Sequence, residues 1–138
     1  MPGFWIQQNA ASDLREIWAS DPNAGAPIGA LLRQLSADPE LRQRLTQEDF
    51  GTQGVDRFNV DAYSALQQRD LNIWRLKLWS THDQSVPYRV VYALNKDTGD
   101  YIALAIIHRD FDYDINHPTV RRVIFDYERL GIPTISGR

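Results

Sequence analysis

Half-way along the chain, apolar and polar residues begin to alternate with a period of two. In the run IWRLKLW, Leu76 and Leu78 fall on one side of the chain. Arg75 and Lys77 fall on the other side, as expected for a strand with one covered face. Two similar runs follow, YRVVYAL and YIALAIIHR, with the turn residues NKDTGD between them. The pattern predicts a three-stranded antiparallel meander.

The residues in front of the meander have the spacing of helices. The run GFWIQQ contains bulky strand-forming residues and predicts a short opening strand. The stretch SDPNAGAP separates two predicted helices, and Asp38 before Pro39 marks the start of a third. The apolar residues at helical spacing in these three segments are Leu14, Ile17 and Trp18, then Ile28, Leu31, Leu32 and Leu35, then Leu41 and Leu45.

A last helix is predicted near the end of the chain. Asn116 and His117 precede Pro118, which suits the first position of a helix. Gly131 marks its end. Its apolar stripe is Val120, Val123, Ile124 and Tyr127. With strands and helices in separate runs, the pattern favours an α+β fold.

The segment from Glu48 to Asp70 has the weakest pattern. Gly51 and Gly54 predict a loop, and DAYSALQQRD predicts a brief helix. Two interpretations are open: an insertion beside the core, or a lid over a functional site.

Length and composition indicate one domain covering residues 1–138. The chain contains no cysteine, which excludes disulfides, thiolate nucleophiles and cysteine-ligated metals. No run is apolar enough for a membrane span, and the N-terminus lacks a signal-peptide pattern. We therefore expect a soluble cytoplasmic protein with no membrane partner.

The net charge of −3 argues against a generic nucleic-acid binder, which is usually basic. The charge is unevenly distributed, because residues 1–70 contain 6 basic and 10 acidic residues whereas residues 71–138 contain 9 and 8. Any anion site is therefore expected to be local and to lie in the second half.

Cations recur along the three predicted strands: Arg75 and Lys77 in the first, Arg89 in the second and Arg109 at the end of the third. Adjacent strands would gather them into one patch. Guanidinium groups bind phosphate oxygens bidentately and stabilise charge that grows in a transition state. Tyr113, close behind Arg109, is suited to stack on a base. The set predicts a phosphodiester site.

RNA carries its own nucleophile, the 2′-hydroxyl, so that cleavage needs from the protein only a proton acceptor, a proton donor and charge stabilisation. Trp79 is the tryptophan predicted on the cation-bearing face, where it is a candidate to contact the substrate. The other tryptophans are expected in the core or at interfaces.

Simpler interpretations of the same residues stay open. The cations could pair with acidic neighbours on a solvated sheet face, namely Asp83, Asp110, Asp112 and Asp114. The three histidines, His82, His108 and His117, are not at metal-ligand spacing, so we expect neither a metal nor another cofactor. His108 alternates away from the cation face, where a structural role is expected.

The segments WRLKLW, PYRVVYAL and LAIIHRDFDYD, in this order, resemble the RelE/ParE toxin superfamily. Active members of that superfamily are bacterial mRNA endonucleases that cut on the ribosome. The resemblance covers Leu71 to Leu130. It implies a RelE-like fold: an antiparallel sheet made of the N-terminal strand and the meander, packed with N-terminal helices and a C-terminal helix.

The resemblance also implies a function, the toxin of a type II toxin-antitoxin system that acts as a ribosome-dependent, metal-independent endoribonuclease. Lys77 and Arg109 would take part in proton transfer and charge stabilisation, and Arg89 would hold the scissile phosphate. Tyr113 would orient or stack on the nucleotide, and Arg75 would bind substrate. The implied partners are the ribosome, mRNA and a cognate antitoxin protein.

Two alternatives remain at this point. Position 75 carries arginine where well-known endonuclease members have lysine, and the net charge is negative. Both features favour a non-catalytic RelE/ParE-fold protein that inhibits or regulates a protein target, such as a ParE-like gyrase inhibitor. The last alternative is a small structural domain with ordinary surface ion pairs.

Overall fold

The computed structural model describes residues 2–137 as one mixed five-stranded sheet with helices on both faces. The strands are β1 (Phe4–Ile6), β2 (Phe58–Ala62), β3 (Ile73–Trp79), β4 (Ser85–Asn95) and β5 (Asp100–His108). The helices are α1 (Gln8–Ser20), α2 (Pro22–Ala37), α3 (Pro39–Arg42), α4 (Ser64–Gln67) and α5 (Pro118–Arg129), and a 3-10 helix covers Gln43–Thr46. The α+β class is confirmed.

The predicted meander is also confirmed. Strands β3, β4 and β5 are neighbours and run antiparallel. Leu76 and Leu78 point toward the N-terminal helices, whereas Ile73 points toward α5. The period-two pattern therefore assigned the two faces of β3 correctly.

The expectation of a wholly antiparallel sheet is wrong, because β1 lies at the edge of the sheet and runs parallel to β5. The N–H of Tyr101 donates to the Gly3 carbonyl, and the N–H of Gln7 donates to the Ala103 carbonyl. No hairpin joins these two strands, so nothing in their connection imposes an antiparallel direction.

The segment from 48 to 70 differs most from its prediction. Residues 58–62 form β2, an edge strand that pairs antiparallel with β3. The helix expected over DAYSALQQRD shrinks to the four residues of α4. The segment is therefore part of the sheet rather than an insertion or a lid, and Phe58 and Val60 are fully buried in the core.

The connection between α1 and α2 is shorter than the proline-containing stretch SDPNAGAP predicts. Asp21 alone separates the helices, and its side chain caps α2 by accepting from the Ala24 N–H at 3.3 Å. Pro22 then occupies the first turn, where a missing N–H does no harm. A Cβ at Gly25 would lie 2.9 Å from Trp18 Cα, so glycine permits this close helix packing.

Two apolar clusters cover the two faces of the sheet. The cluster on the face of α1 and α2 is built from these helices, Phe58, Val60 and the inward residues of β3 and β4. The cluster on the other face is built from α4, α5 and the residues of β4 and β5 beneath them. This second cluster covers only part of its face, and polar residues of β2, β3 and β4 occupy the remainder.

Polar contacts attach α5 to α1 at the side of the sheet. Arg122 makes a bidentate ion pair with Asp13, at 3.1 and 2.7 Å. The second Asp13 oxygen also accepts from the Ile106 N–H at 3.0 Å. Asn9 donates to the buried Asp126 carboxylate at 2.8 Å. These contacts hold the body of α5 against α1 and β5.

Candidate functional site

A cavity of about 210 Å³ lies on the part of the sheet that α5 leaves uncovered. Strands β2, β3 and β4 provide its floor, and the loop after β5 provides one wall. Its lining residues are all polar or charged: Asn59, Asp61, Arg75, Lys77, Arg89 and Asp112. The structure therefore brings together three of the cations that the sequence singled out.

A row of cross-strand partners forms the floor of the cavity. Lys77 lies opposite Asn59 on β2 and opposite Arg89 on β4. Lys77 is exposed and Arg89 is half-buried. Within residues 2–137, neither cation has a carboxylate oxygen within 4.0 Å. This pair is the positively charged part of the site.

Arg75 is held by three neighbours. Its Nη1 lies 3.0 Å from Asp112 Oδ2, and its Nη2 lies 3.4 Å from Asp61 Oδ2. Its guanidinium carbon lies 4.9 Å from the centre of the Tyr63 ring, a cation–π contact. Arg75 lines the cavity as predicted, but its charge is already balanced by two carboxylates.

The sequence left open that the cations pair with acidic neighbours. This interpretation is correct for one cation, Arg75, and for one of the four predicted partners, Asp112. Asp112 pairs with Arg75, whereas Asp110 lies 3.4 Å from His108. The second partner of Arg75, Asp61, was not foreseen.

Burial shifts the pKa of two groups around the cavity. Burial of the Tyr63 hydroxyl, together with the nearby Asp112, raises its pKa to about 12. This hydroxyl donates to the Asp112 backbone carbonyl. The pKa of Arg89 is lowered, chiefly by burial and also by the nearby Arg75 and Arg109, although Asp112 opposes the shift. A bound anion would offset the burial of the Arg89 charge.

Arg109 and Tyr113 lie on the loop that follows β5. The Arg109 N–H donates to the Pro87 carbonyl at 2.9 Å, and its side chain is exposed. Arg109 is not part of the cavity lining, although its charge helps to lower the pKa of Arg89. Tyr113 is 72% exposed and does not line the cavity either. Both residues are accessible to a ligand larger than the cavity.

Trp79 is buried, whereas the sequence predicted a residue that could contact the substrate. Its residue is only 5% exposed, so the ring is not offered to a base. The register between β3 and β4 shifts between Lys77 and Trp79, and the extra residues lie on β4. Trp79 is therefore not accessible to a substrate in this structure, and it does not line the cavity.

Two histidines have structural contacts near the loop. His108 Nδ1 accepts from the Asp110 N–H, and His117 Nδ1 accepts from the Thr119 N–H and so caps α5. Phe111 stacks on His117 with ring centres 4.9 Å apart. In the part of the chain that the structure describes, no cluster of three or more histidines and acids suits a metal ion.

Three lining residues were not recognised as site residues from the sequence: Asn59, Asp61 and Asp112. Asn59 and Asp61 alternate with Phe58, Val60 and Ala62, a strand pattern that the flanking glycines and the DAYSALQQRD run obscured. In the sequence, Asp112 was only one of four acidic candidates to pair with the cations. No pattern in the sequence indicates that its carboxylate is buried.

Two larger depressions lie elsewhere on the surface. A groove of about 880 Å³ separates the start of α2 from the β3–β4 connection, and small side chains such as Ala26 and Ala30 form much of its wall. A second depression of about 450 Å³ lies between Ile115 and Phe125, with Arg69 and Arg121 at its margin. Neither has the density of charge found in the cavity on the sheet.

Comparisons of the chain with protein-family models, with curated proteins and with solved structures gave no match. Among residues 2–137, no helix has the length and apolar character needed to cross a membrane. The Asn59 amide donates both its hydrogens to the Phe50 and Gly51 carbonyls, so it offers no donor to a ligand. Lys77 and Arg89, which have no ion-pair partner among residues 2–137, suit an anion with several oxygen atoms.

Proposed function

We propose that the chain is an RNA-cleaving enzyme of RelE-like fold, the toxin of a toxin-antitoxin system, with the cavity holding the scissile phosphate. The observation that carries the proposal is the pairing of Lys77 with Arg89 across β3 and β4, with no carboxylate partner among the described residues. Two cations so placed match the negative charge of one phosphodiester and the charge that grows on it during cleavage.

Cleavage would begin with the 2′-hydroxyl of the substrate. Its oxygen forms a bond to the adjacent phosphorus, and the bond from phosphorus to the 5′-oxygen breaks. The products are a 2′,3′-cyclic phosphate and a free 5′-hydroxyl. This reaction requires that one proton leave the attacking hydroxyl and that one reach the leaving oxygen.

Different residues of the cavity can perform the two proton transfers and stabilise the charge. An ammonium or guanidinium group has no free lone pair, so the cations serve as donors and charge stabilisers. Arg89 holds the phosphate oxygens, and Lys77 donates the proton to the leaving oxygen. Asp61, an exposed carboxylate in the same cavity, accepts the proton of the 2′-hydroxyl. Arg109 adds positive charge at the edge, and Tyr113 stacks on a flanking base.

The remaining parts of the proposal concern partners. The chain as a whole carries a net charge of −3, which does not favour tight binding of free RNA. Docking on the ribosome would supply the mRNA in place, and a cognate antitoxin would hold the toxin inactive. Both partners are proposed from the resemblance of WRLKLW, PYRVVYAL and LAIIHRDFDYD to the RelE/ParE superfamily.

Primer extension on an mRNA during in vitro translation tests the proposal. The wild-type protein should produce discrete cuts within the translated region. The Lys77→Ala/Arg89→Ala variant should produce none, whereas Arg15→Ala, which removes an exposed charge from α1, should cut normally. Intact transcripts with the wild type, or equal cutting by the double variant, would refute the catalytic assignment.

A second function, a non-catalytic regulator that binds a protein target, is favoured by one observation. Asp61 and Asp112 already balance Arg75, so the cavity contains three cations against two carboxylates. Such a site has less positive charge than the sequence alone suggests. The same primer-extension experiment separates the two functions, because a regulator leaves the transcript intact.

A further inference from the structure

The two carboxylates that hold Arg75 differ in their surroundings. The Asp112 side chain is 7% exposed and lies 3.0 Å from Arg75 Nη1. The Asp61 side chain is 55% exposed and lies 3.4 Å from Arg75 Nη2. The shorter contact belongs to the buried partner and the longer one to the partner in solvent.

Asp112 is fixed in its place. The Tyr63 hydroxyl donates to its backbone carbonyl, and the Tyr63 ring lies against the Arg75 guanidinium. Removing the Asp112 carboxylate from Arg75 would leave a buried charge without a partner, which is costly. The Arg75–Asp112 ion pair should therefore persist when a ligand enters the cavity.

Asp61 is not held in the same way. It lies on the edge strand β2, directly opposite Arg75 on β3, and Arg75 is its only ion-pair partner in the part of the chain that the structure describes. Its carboxylate can rotate away from Arg75 while it remains beside the cavity, and the cost is small because an exposed ion pair contributes about 0–1 kcal/mol. Its oxygen occupies a position on Arg75 Nη2 that a phosphate oxygen would also suit.

We propose that Asp61 is an exchangeable internal anion, and that a phosphate group entering the cavity displaces it from Arg75. Arg75 then becomes a third cation for the ligand, beside Lys77 and Arg89. Asp61 in this role determines specificity, because an entering anion must compete with a carboxylate that is already present. The inference rests on the phosphate binding that the proposed function assigns to this cavity.

The chemistry of the exchange predicts which ligands succeed. A phosphate monoester or diester presents several oxygens at once, and can contact Lys77 and Arg89 while it replaces Asp61 on Arg75. A simple carboxylate has only two oxygens. It can either contact Lys77 and Arg89 or replace Asp61 on Arg75, but not both at once. The cavity should therefore prefer phosphate to acetate, and Asp61 should be the residue that enforces the preference.

Calorimetric titration of the folded protein with inorganic phosphate, and separately with acetate, tests the proposal. Asp61→Asn keeps the shape of the side chain but removes its charge, and should bind phosphate about tenfold more tightly than the wild type. Its affinity for acetate should rise by a larger factor, so that the preference for phosphate over acetate falls. Asp97→Asn, a change of equal charge in the turn between β4 and β5, should leave both affinities unaltered.

A second measurement reports on Arg75 itself without substituting it. The NMR signal of the Arg75 Nε–H group should move when phosphate is added to the wild type and should already be displaced in Asp61→Asn. If Asp61→Asn binds phosphate no more tightly than the wild type, or the Arg75 signal does not respond, Asp61 is a fixed structural partner and the proposal fails.

The result for the exchange of Asp61 can be distinguished from the result for the proposed nuclease function. Tighter phosphate binding by Asp61→Asn supports the exchange even if no mRNA is cut, in which case only the nuclease assignment is lost. Conversely, mRNA cutting by the wild type together with unchanged phosphate affinity in Asp61→Asn would leave the nuclease in place and overturn the exchange.

Discussion

Lys77 and Arg89 are direct cross-strand partners on β3 and β4, and both line the same cavity. Like charges directly opposite each other destabilise a pair of strands. In the region that the structure describes, no carboxylate lies close enough to either residue to form an ion pair. The free sheet therefore contains a repulsion that a bound anion would remove.

Because of this repulsion, Lys77 should strengthen the binding of an anion but lower the stability of the free protein. Replacing Lys77 with glutamine should raise the free energy of unfolding by about 0.5 kcal/mol, because it removes a like-charge pair. The same change should weaken phosphate binding. Urea denaturation measures the first effect and calorimetry the second. Arg15→Gln, which changes the net charge equally on α1, is the control, and a loss of stability in Lys77→Gln alone would contradict the prediction.

Because Asp112 is the closer ion-pair partner of Arg75, removing its charge should destabilise the folded protein strongly. Asp112→Asn should lower the free energy of unfolding by about 2–3 kcal/mol, because it leaves the half-buried Arg75 without its closer partner. Asp110→Asn on the same loop is the matched control, since the Asp110 side chain is 70% exposed. Equal urea midpoints for the two variants would show that the Arg75–Asp112 pair adds little.

The hydroxyl of Tyr63 provides a pH dependence with a definite sign. Its pKa is raised to about 12 from an ordinary value of 10, so the folded protein retains this proton when the unfolded chain loses it. The stability that Tyr63 contributes is therefore present below pH 10 and is lost as the pH rises from 10 toward 12.

Tyr63→Phe is the variant that isolates this hydroxyl. It keeps the ring against Arg75, loses the hydrogen bond to Asp112, and should cost about 1 kcal/mol at neutral pH. Denaturation measured at several alkaline pH values should show a shallower fall in stability for the variant than for the wild type. Parallel curves between pH 10 and 12 would contradict the assignment.

The attachment of α5 to α1 predicts an effect far from the cavity. Asp13→Asn should lower the free energy of unfolding by about 2–3 kcal/mol, because Arg122 loses a bidentate, partly buried partner. Glu16→Gln, an exposed position on the same helix, should change the thermal midpoint very little. Phosphate affinity should be unchanged in both variants if the pair serves only to hold α5.

The sequence predicted the meander because alternation is a local property of each strand. Leu76, Leu78, Arg75 and Lys77 lie on the faces that a period of two assigns to them. The pattern predicted four cations in one patch, and three of them, Arg75, Lys77 and Arg89, line the cavity whereas Arg109 does not. These are consequences of strand geometry alone, and they need no knowledge of the rest of the fold.

The features that the sequence did not reveal depend on contacts between distant residues. The parallel direction of β1 is set by its pairing with β5, almost a hundred residues later. The burial of Trp79 is not indicated by the alternation of residues along β3. Asp112 is buried because Arg75 and Tyr63 contact it, and the charge of Arg75 is balanced for the same reason.

The central claim is that Lys77 and Arg89 together hold an RNA phosphate, and a crystal structure of the protein with a short RNA tests it most directly. The RNA should lack the 2′-hydroxyl at its central nucleotide, so that it binds without being cut. The account predicts a phosphate within hydrogen-bond distance of Lys77 Nζ and the Arg89 guanidinium. RNA bound at another surface, with the cavity free of phosphate, would contradict the account.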